Sequence, residues 1–219
     1  MWSKEVIGMI VTGIWETLYM TLVSTLVGYL LGLPMGVVLT VTDKDGIHPN
    51  AFIYKILDVI ANIVRSIPFI ILLVLLIPFT RFVVGKSYGS TATIVPLVIA
   101  AAPYIARMVE SSLKEVDAGV IEAARSMGAS NFTIITKVLL VEARTSLLVG
   151  ATISLGTILG YSAMSGAVGG GGLGAIAIRY GYTRWQTDIM IVTVVLLVVL
   201  FQIFQTLGMK LADRFDHRK

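Results

Sequence analysis

The chain has 219 residues, 56% of them hydrophobic and only 14% charged, where soluble domains carry about 25% charged residues. That balance and a mean hydropathy of +0.88 exclude an ordinary soluble domain and imply a membrane protein. The absence of cysteine excludes disulfides and thiol chemistry, and the net charge of +4 matters more for its placement than its size.

A spanning α-helix needs about 20 predominantly apolar residues. The first charge-free run, residues 17–42, satisfies this. It is longer than the ~7–15 apolar residues of a signal peptide, so it reads as a retained span. Gly28, Gly32 and Gly36 recur along it at helical spacing, as expected where two helices approach closely.

The second span is centred on SIPFIILLVLLIPFT, which is short, so the expected helix includes the turns upstream from about Tyr54. Those turns carry Asp58, Asn62 and Arg65 at i, i+4 and i+7, on one helical face. They read as an amphipathic entry turn along the interface, with Asp58 and Arg65 meeting solvent or each other. The alternative is a polar lining at the inner mouth of a path.

Residues 87–106 form the third span, with Pro96 and Pro103 inside it. Beyond its inner end, Glu110 is expected in solvent or paired with Arg107. Residues 145–178 are charge-free but longer than one span needs, and their second half is rich in glycine. A mobile bend is expected there, before the fifth span at residues 189–209.

Five spans put the two chain ends on opposite sides. With the N-terminus out, the cytoplasmic side holds 12 of the 17 Lys and Arg residues and the outside 5. The positive-inside rule therefore selects N-out, C-in. The whole chain, residues 1–219, reads as one transmembrane domain, with residues 114–142 a cytoplasmic segment within it.

Within that segment residues 120–127 read as a short helix. Gly128 falls at its C′ position, where a left-handed backbone is cheap for glycine. Ser130 can cap a second helix, along which Phe132, Ile135, Val138 and Leu139 recur at helical spacing. Two short helices on a tight turn suit entry into another protein's cleft. A helix lying on the membrane surface would show the same pattern.

Glu122-Ala123-Ala124, followed by Gly128, resembles the EAA motif of permease subunits of ATP-binding-cassette importers. The full family pattern ends in Leu-Pro before the next span, where this chain has Leu140-Val141. The missing proline puts a stiffened exit in doubt. RSIPFIILLVLLIPFTR, PYIARMVE and GYSAMSGAVGGGGLG resemble the methionine branch, in nearly the same order and spacing over almost the whole chain. Glycine-rich endings of this kind also occur in permeases for osmolytes and phosphonates.

The resemblance implies an all-α type I importer permease with five transmembrane helices in the bacterial cytoplasmic (inner) membrane, carrying D- and L-methionine. It implies two copies of a separate cytoplasmic ATPase, docked on Glu122, Ala123, Ala124, Gly128, Ser130 and Phe132. It further implies an extracytoplasmic methionine-binding protein, and a path or gate lined by Tyr161, Ser162, Met164 and Ser165. An unbranched side chain such as Met164 suits a gate; ordinary helix packing is the plainer reading. Five helices would struggle to enclose a passage, whereas two copies about a two-fold axis could. The expected partners are therefore a second copy, the ATPase, the binding protein and membrane lipid, with no nucleic acid and no cofactor.

Two motif-like matches carry no chemistry. Gly85-Lys86-Ser87 resembles the end of a P-loop, but position 80 is threonine where a glycine is required. Gly169, Gly171 and Gly174 fit G-x-G-x-x-G by spacing, but no strand precedes them. His48 and His217 are far apart, so no metal cluster is expected. Ser162 and Ser165 have no nearby Lys or His to activate them. The chain is expected to hydrolyse nothing itself. A secondary transporter is disfavoured because no inverted repeat and no mid-span ion site are detectable.

Overall fold

Ser3 starts the first helix by accepting from Val6 N through its hydroxyl, and the helix α1 (Lys4–Thr42) then runs unbroken for 39 residues. At 1.5 Å per residue it is about 58 Å long, nearly twice the ~30 Å hydrocarbon core. It is therefore longer than a perpendicular crossing needs, and it begins well upstream of the apolar run. The computed structural model describes residues 3–215, which are helical apart from short connections.

Glycines set the packing of α1 on α5 (Ser90–Lys114), the most extensive helix pairing of the fold. A Cβ on Gly32 would lie 2.6 Å from Ala102 O, and one on Gly36 2.6 Å from Ala106 O. The stripe expected to pack a neighbouring helix does so against backbone. Ile105 and Val109 close over it and join Leu97, Leu113 and Ile158 in the core.

The second crossing departs from the expected one. The upstream turns form a separate helix, α2 (Ala51–Ser66), capped by the Asn50 side chain. It is bent by 102° from the helix that follows. Pro68 is the cause: its ring disfavours helical backbone at the preceding residue, and Ile67 is extended at φ −83°, ψ 123°. The apolar run then continues as α3 (Phe69–Leu75) and α4 (Ile77–Val84) in succession. Residues 69–84 reach only about 24 Å, short of the ~30 Å hydrocarbon core, so crossing there requires local thinning, snorkelling flanks or packing against neighbours. α2 exposes Phe52, Ile56, Ile60 and Ile63, a stripe suited to lying in the interface.

α5 continues as far as Lys114, eight residues beyond the expected end, because its charges are neutralised. Glu110, 4% exposed, accepts from Arg107 Nη1 at 2.6 Å, Lys114 Nζ at 2.8 Å and the Tyr54 hydroxyl at 3.2 Å. Lys114 also bridges to Asp43 at the end of α1, at 2.7 Å. The Lys114 ammonium holds the Asp43 carboxyl below the usual range. Arg107 reaches α2 as well, pairing with Asp58 and donating to Asn62 Oδ1 at 3.1 Å. Glu110 is therefore paired with Arg107 as one expectation had it, but not solvated. Asp58 meets Arg107 rather than Arg65. One network ties α1, α2 and α5 together at the inner surface.

The fourth unit, Arg144–Tyr182, is interrupted in its outer part. α9 (Arg144–Ser165) gives way to a 3-10 turn and the glycine run, then α10 (Gly172–Ile176) and a π-helical turn (Ala177–Tyr182). The bend was expected to be mobile and to separate the fourth span from the fifth. Instead it lies within the fourth unit and is tied down. Gly89 N donates to Gly169 O, Gly172 N to Glu16 Oε2 and Leu173 N to Thr17 Oγ1, at 2.9, 2.7 and 2.9 Å. Positive φ at Gly169, Gly171 and Gly172 makes this clasp possible. α11 (Thr187–Arg214) returns to the inner side.

Candidate coupling surface and translocation path

Between α5 and α9 the chain leaves the bundle. Asp117 caps α6 (Ala118–Ser126) by accepting from Gly119 N. Gly128, at φ +80°, closes it: Gly128 N donates to Arg125 O and Ala129 N to Ala124 O. This is the paired closure of a Schellman turn. The expected helix and its glycine stop are both present, with the start two residues earlier.

α6 is anchored on one face only. Ala124 is buried and Ile121 packs on the core, while Arg125 Nη2 donates to Ile47 O in the turn after α1. A cleft of about 400 Å³ separates α6 from that turn, with Asp45, Lys114 and Glu122 on its walls. Glu122, Ala123, Gly128 and Ser130 are exposed. So are Met127 at 82% and Phe132 at 74%. Met127 was not singled out from the sequence, because position alone does not distinguish a helix's last residue from its buried face.

Ser130 caps the next helix as expected, its Oγ accepting from Thr133 N at 3.2 Å. The chain runs through α7 (Asn131–Thr133), a π-helical turn (Ile134–Leu139) and α8 (Leu140–Glu142). The wide turn alters the helical register. Ile134 and Leu139 are buried while Phe132 faces solvent. The expected apolar stripe is thus corrected: Phe132 is not part of it, and Ile134 is.

The four residues assigned to the path do not share a face. Ser162 Oγ donates to Leu159 O and accepts from Thr21 Oγ1; Ser165 Oγ donates to Ser162 O. Both serines are buried inside the protomer. Tyr161 stacks on Phe69, centroids 4.5 Å apart and planes 4° off parallel. With Arg65 and Tyr104 the pair lines a cavity of about 210 Å³ near the α2–α3 bend. Met164 is 52% exposed. It shares an open stripe of α9 with Ile153 and Gly160. Tyr104 and Arg65 were not read from the sequence as neighbours of Tyr161, since the contact depends on the bend. Among the described residues, no group of three or more His, Asp or Glu is placed to hold a metal.

Residues 28–218 match the family model described as the binding-protein-dependent transport system inner membrane component. The chain is 50% identical over 217 residues to the probable D-methionine transport system permease protein MetI of Vibrio cholerae, covering 99% of this chain and 96% of that one. It is 52% identical over 164 residues to the D-methionine transport system permease protein MetI of Escherichia coli K12, covering 75% and 76%. A crystal form of the MetNI methionine ABC transporter in inward facing conformations superposes with a TM-score of 0.97 at 50% identity, covering 99% of this chain and 100% of that one. An amino acid ABC transporter crystallised with histidines shares the fold, at a TM-score of 0.73 and 20% identity over 98% and 96% of the two chains. With a bundle of this architecture and a family pattern running over most of its length, the chain belongs to the inner membrane components of binding-protein-dependent transport systems.

Proposed function

We propose that the chain is the permease half of an ATP-driven importer of D- and L-methionine. It works as a homodimer with the path on the two-fold axis. Two copies of a separate cytoplasmic ATPase drive it, and an extracytoplasmic methionine-binding protein supplies it. The observation that carries this reading is α6 with the turn after it, a short, closed helix held below the spans whose end offers Met127, and α7 just beyond it Phe132, to a partner. Large apolar side chains left in water on a rigid knob mark a docking surface. The substrate follows from the relatives at 50% identity or more, which are named for methionine.

Glu122, Ala123, Ala124, Gly128, Ser130 and Phe132 form or shape the ATPase contact, and Met127 adds to it. Closure of the ATPases draws two α6 helices together, and each carries its bundle as a rigid body. Tyr161 and Met164 face the shared path, while behind them Ser162 ties the outer part of α9 to Thr21 of α1 and Ser165 bonds back to Ser162 O within α9.

Purification tests the reading directly. The permease should bring down an ATPase of separate sequence, and proteoliposomes of the complex should take up methionine only with ATP. Uptake without any nucleotide-consuming partner would overturn it.

Two substitutions separate the roles. A β-branched residue at Gly128 must adopt a left-handed backbone, at about 1–3 kcal/mol. Gly128→Val is expected to lower methionine uptake by about tenfold or more through a misplaced α6, while size-exclusion chromatography still shows a folded dimer. Normal uptake would remove the turn from the coupling surface. Met164→Arg places a charge in the proposed path and is expected to reduce uptake by about tenfold or more, with ATPase copurification unchanged. Unaltered uptake would remove Met164 from the path.

A further inference from the structure

We propose that the groove between α1, α9 and α11 binds one anionic phospholipid of the inner leaflet. The groove has a volume of about 330 Å³ and is walled by Tyr29 of α1, Leu148 and Leu155 of α9, and Phe204, Leu207 and Leu211 of α11. Its threonines are already engaged: Thr25 Oγ1 donates to Thr21 O and Thr152 Oγ1 to Leu148 O. The walls therefore suit a hydrocarbon chain rather than a polar solute.

Length and charge both fit a lipid. From Leu148 to Leu155 the groove wall rises about 10 Å, and Arg144 lies about 6 Å below it along α9. Headgroup to groove top therefore spans about 16 Å, half of the ~30 Å hydrocarbon core, which is one leaflet and one acyl chain. Two arginines stand at its inner end. Arg144 lies one turn before Leu148 on α9, and Arg214 lies three residues after Leu211 on α11, each continuing its wall's stripe. Thr145 Oγ1 donates to Phe215 O at 3.3 Å, holding the two helix ends together. Among the described residues neither arginine makes an ion pair, and Asp213 falls on the opposite side of α11 from the groove. Guanidinium forks match phosphate oxygens, and basic pockets between helices on the cytoplasmic side recruit anionic headgroups.

The alternative occupant is a second copy of the chain. A two-fold contact places the same patch on both sides, so the arginine ends of the two copies would face each other, and none of the groove's lining residues is a carboxylate to bridge them. The groove also lies on the side of α9 opposite the stripe of Ile153, Gly160 and Met164. It is therefore turned away from the proposed path, and the inference rests on that reading for this point only.

Native mass spectrometry of the purified complex decides the matter. The protein is equilibrated with equal amounts of dioleoylphosphatidylglycerol and dioleoylphosphatidylcholine in mixed micelles. Retention of phosphatidylglycerol is expected to exceed that of phosphatidylcholine by about tenfold. The R144Q/R214Q double variant should bring that ratio close to one, and Ala151→Trp, which fills the groove, should displace both lipids. An unchanged ratio in the arginine variant would overturn the site. So would efficient copy-to-copy crosslinking through Leu207→Cys, which would place a second copy there. The arginine variant alters no core side chain, so the test stands even if the tryptophan variant does not fold.

Discussion

Gly36→Val is expected to destabilise the permease by about 3 kcal/mol, at the upper end of the usual cost of overpacking. The new Cβ would meet Ala106 O and the Val109 Cβ, each at 2.6 Å. One of these is main chain and cannot rotate away. The α1–α5 pair would have to separate, and with it the largest interface of the fold. Thermal unfolding of the solubilised protein should fall by about 6–12 °C, at about 2–4 °C per kcal/mol for a chain of this size. Gly8→Ala is the control: a Cβ there meets nothing within 4 Å, and its melting temperature should not fall. Equal behaviour of the two variants would show that the close approach carries no stability.

Glu110→Ala should have a comparable or larger effect. Removing one member of a buried ion pair costs about 3–5 kcal/mol, because the partner stays buried and uncompensated. The Lys114 side chain is 40% exposed and that of Arg107 18%, so water rescues the lysine more than the arginine. The expected loss lies toward the lower end of that range. Arg107 retains Asp58 and Lys114 retains Asp43, which keeps the fold from collapsing outright. Glu110→Gln leaves an acceptor in place and should lose less. The check is the order of melting temperatures: wild type above Gln above Ala. If the alanine variant melts with the wild type, the network is not a structural hub.

These two sites also show what could be read from the residues and what could not. Long apolar runs reveal α1, α5 and α11 because a bilayer demands about 20 such residues, and the glycine spacing on α1 announces a close neighbour. Helix ends are less visible. Arg107 and Lys114 read as the edge of the membrane, yet carboxylates from their own helix, α1 and α2 let α5 pass through them. Hydropathy likewise has no direction: Asp58, Asn62 and Arg65 mark α2 as interfacial, but only Pro68 signals where the 102° turn falls.

The candidate site divides in the same way. Gly128 and Ser130 are local signals, each tied to its own backbone geometry, so the turn and the cap are legible. The face of the following helix is not, because a π-helical turn breaks the 3.6-residue period from which faces are read. Ser162 and Ser165 lie near Met164 along the chain but turn inward. That distinction depends on α1, 141 residues away at Thr21.

The glycine clasp has a consequence for how the bundle can move. At the outer end, main-chain donors of Gly89, Gly172 and Leu173 lace α1, α5 and the glycine run leading into α10 together. At the opposite end, Glu110 and its partners knot α1, α2 and α5. Helices fastened to α1 at both ends have little room to slide past it. On the proposed function, α1, α2, α5 and α10 should then move as one piece, and opening toward either compartment is expected along the seam between two copies.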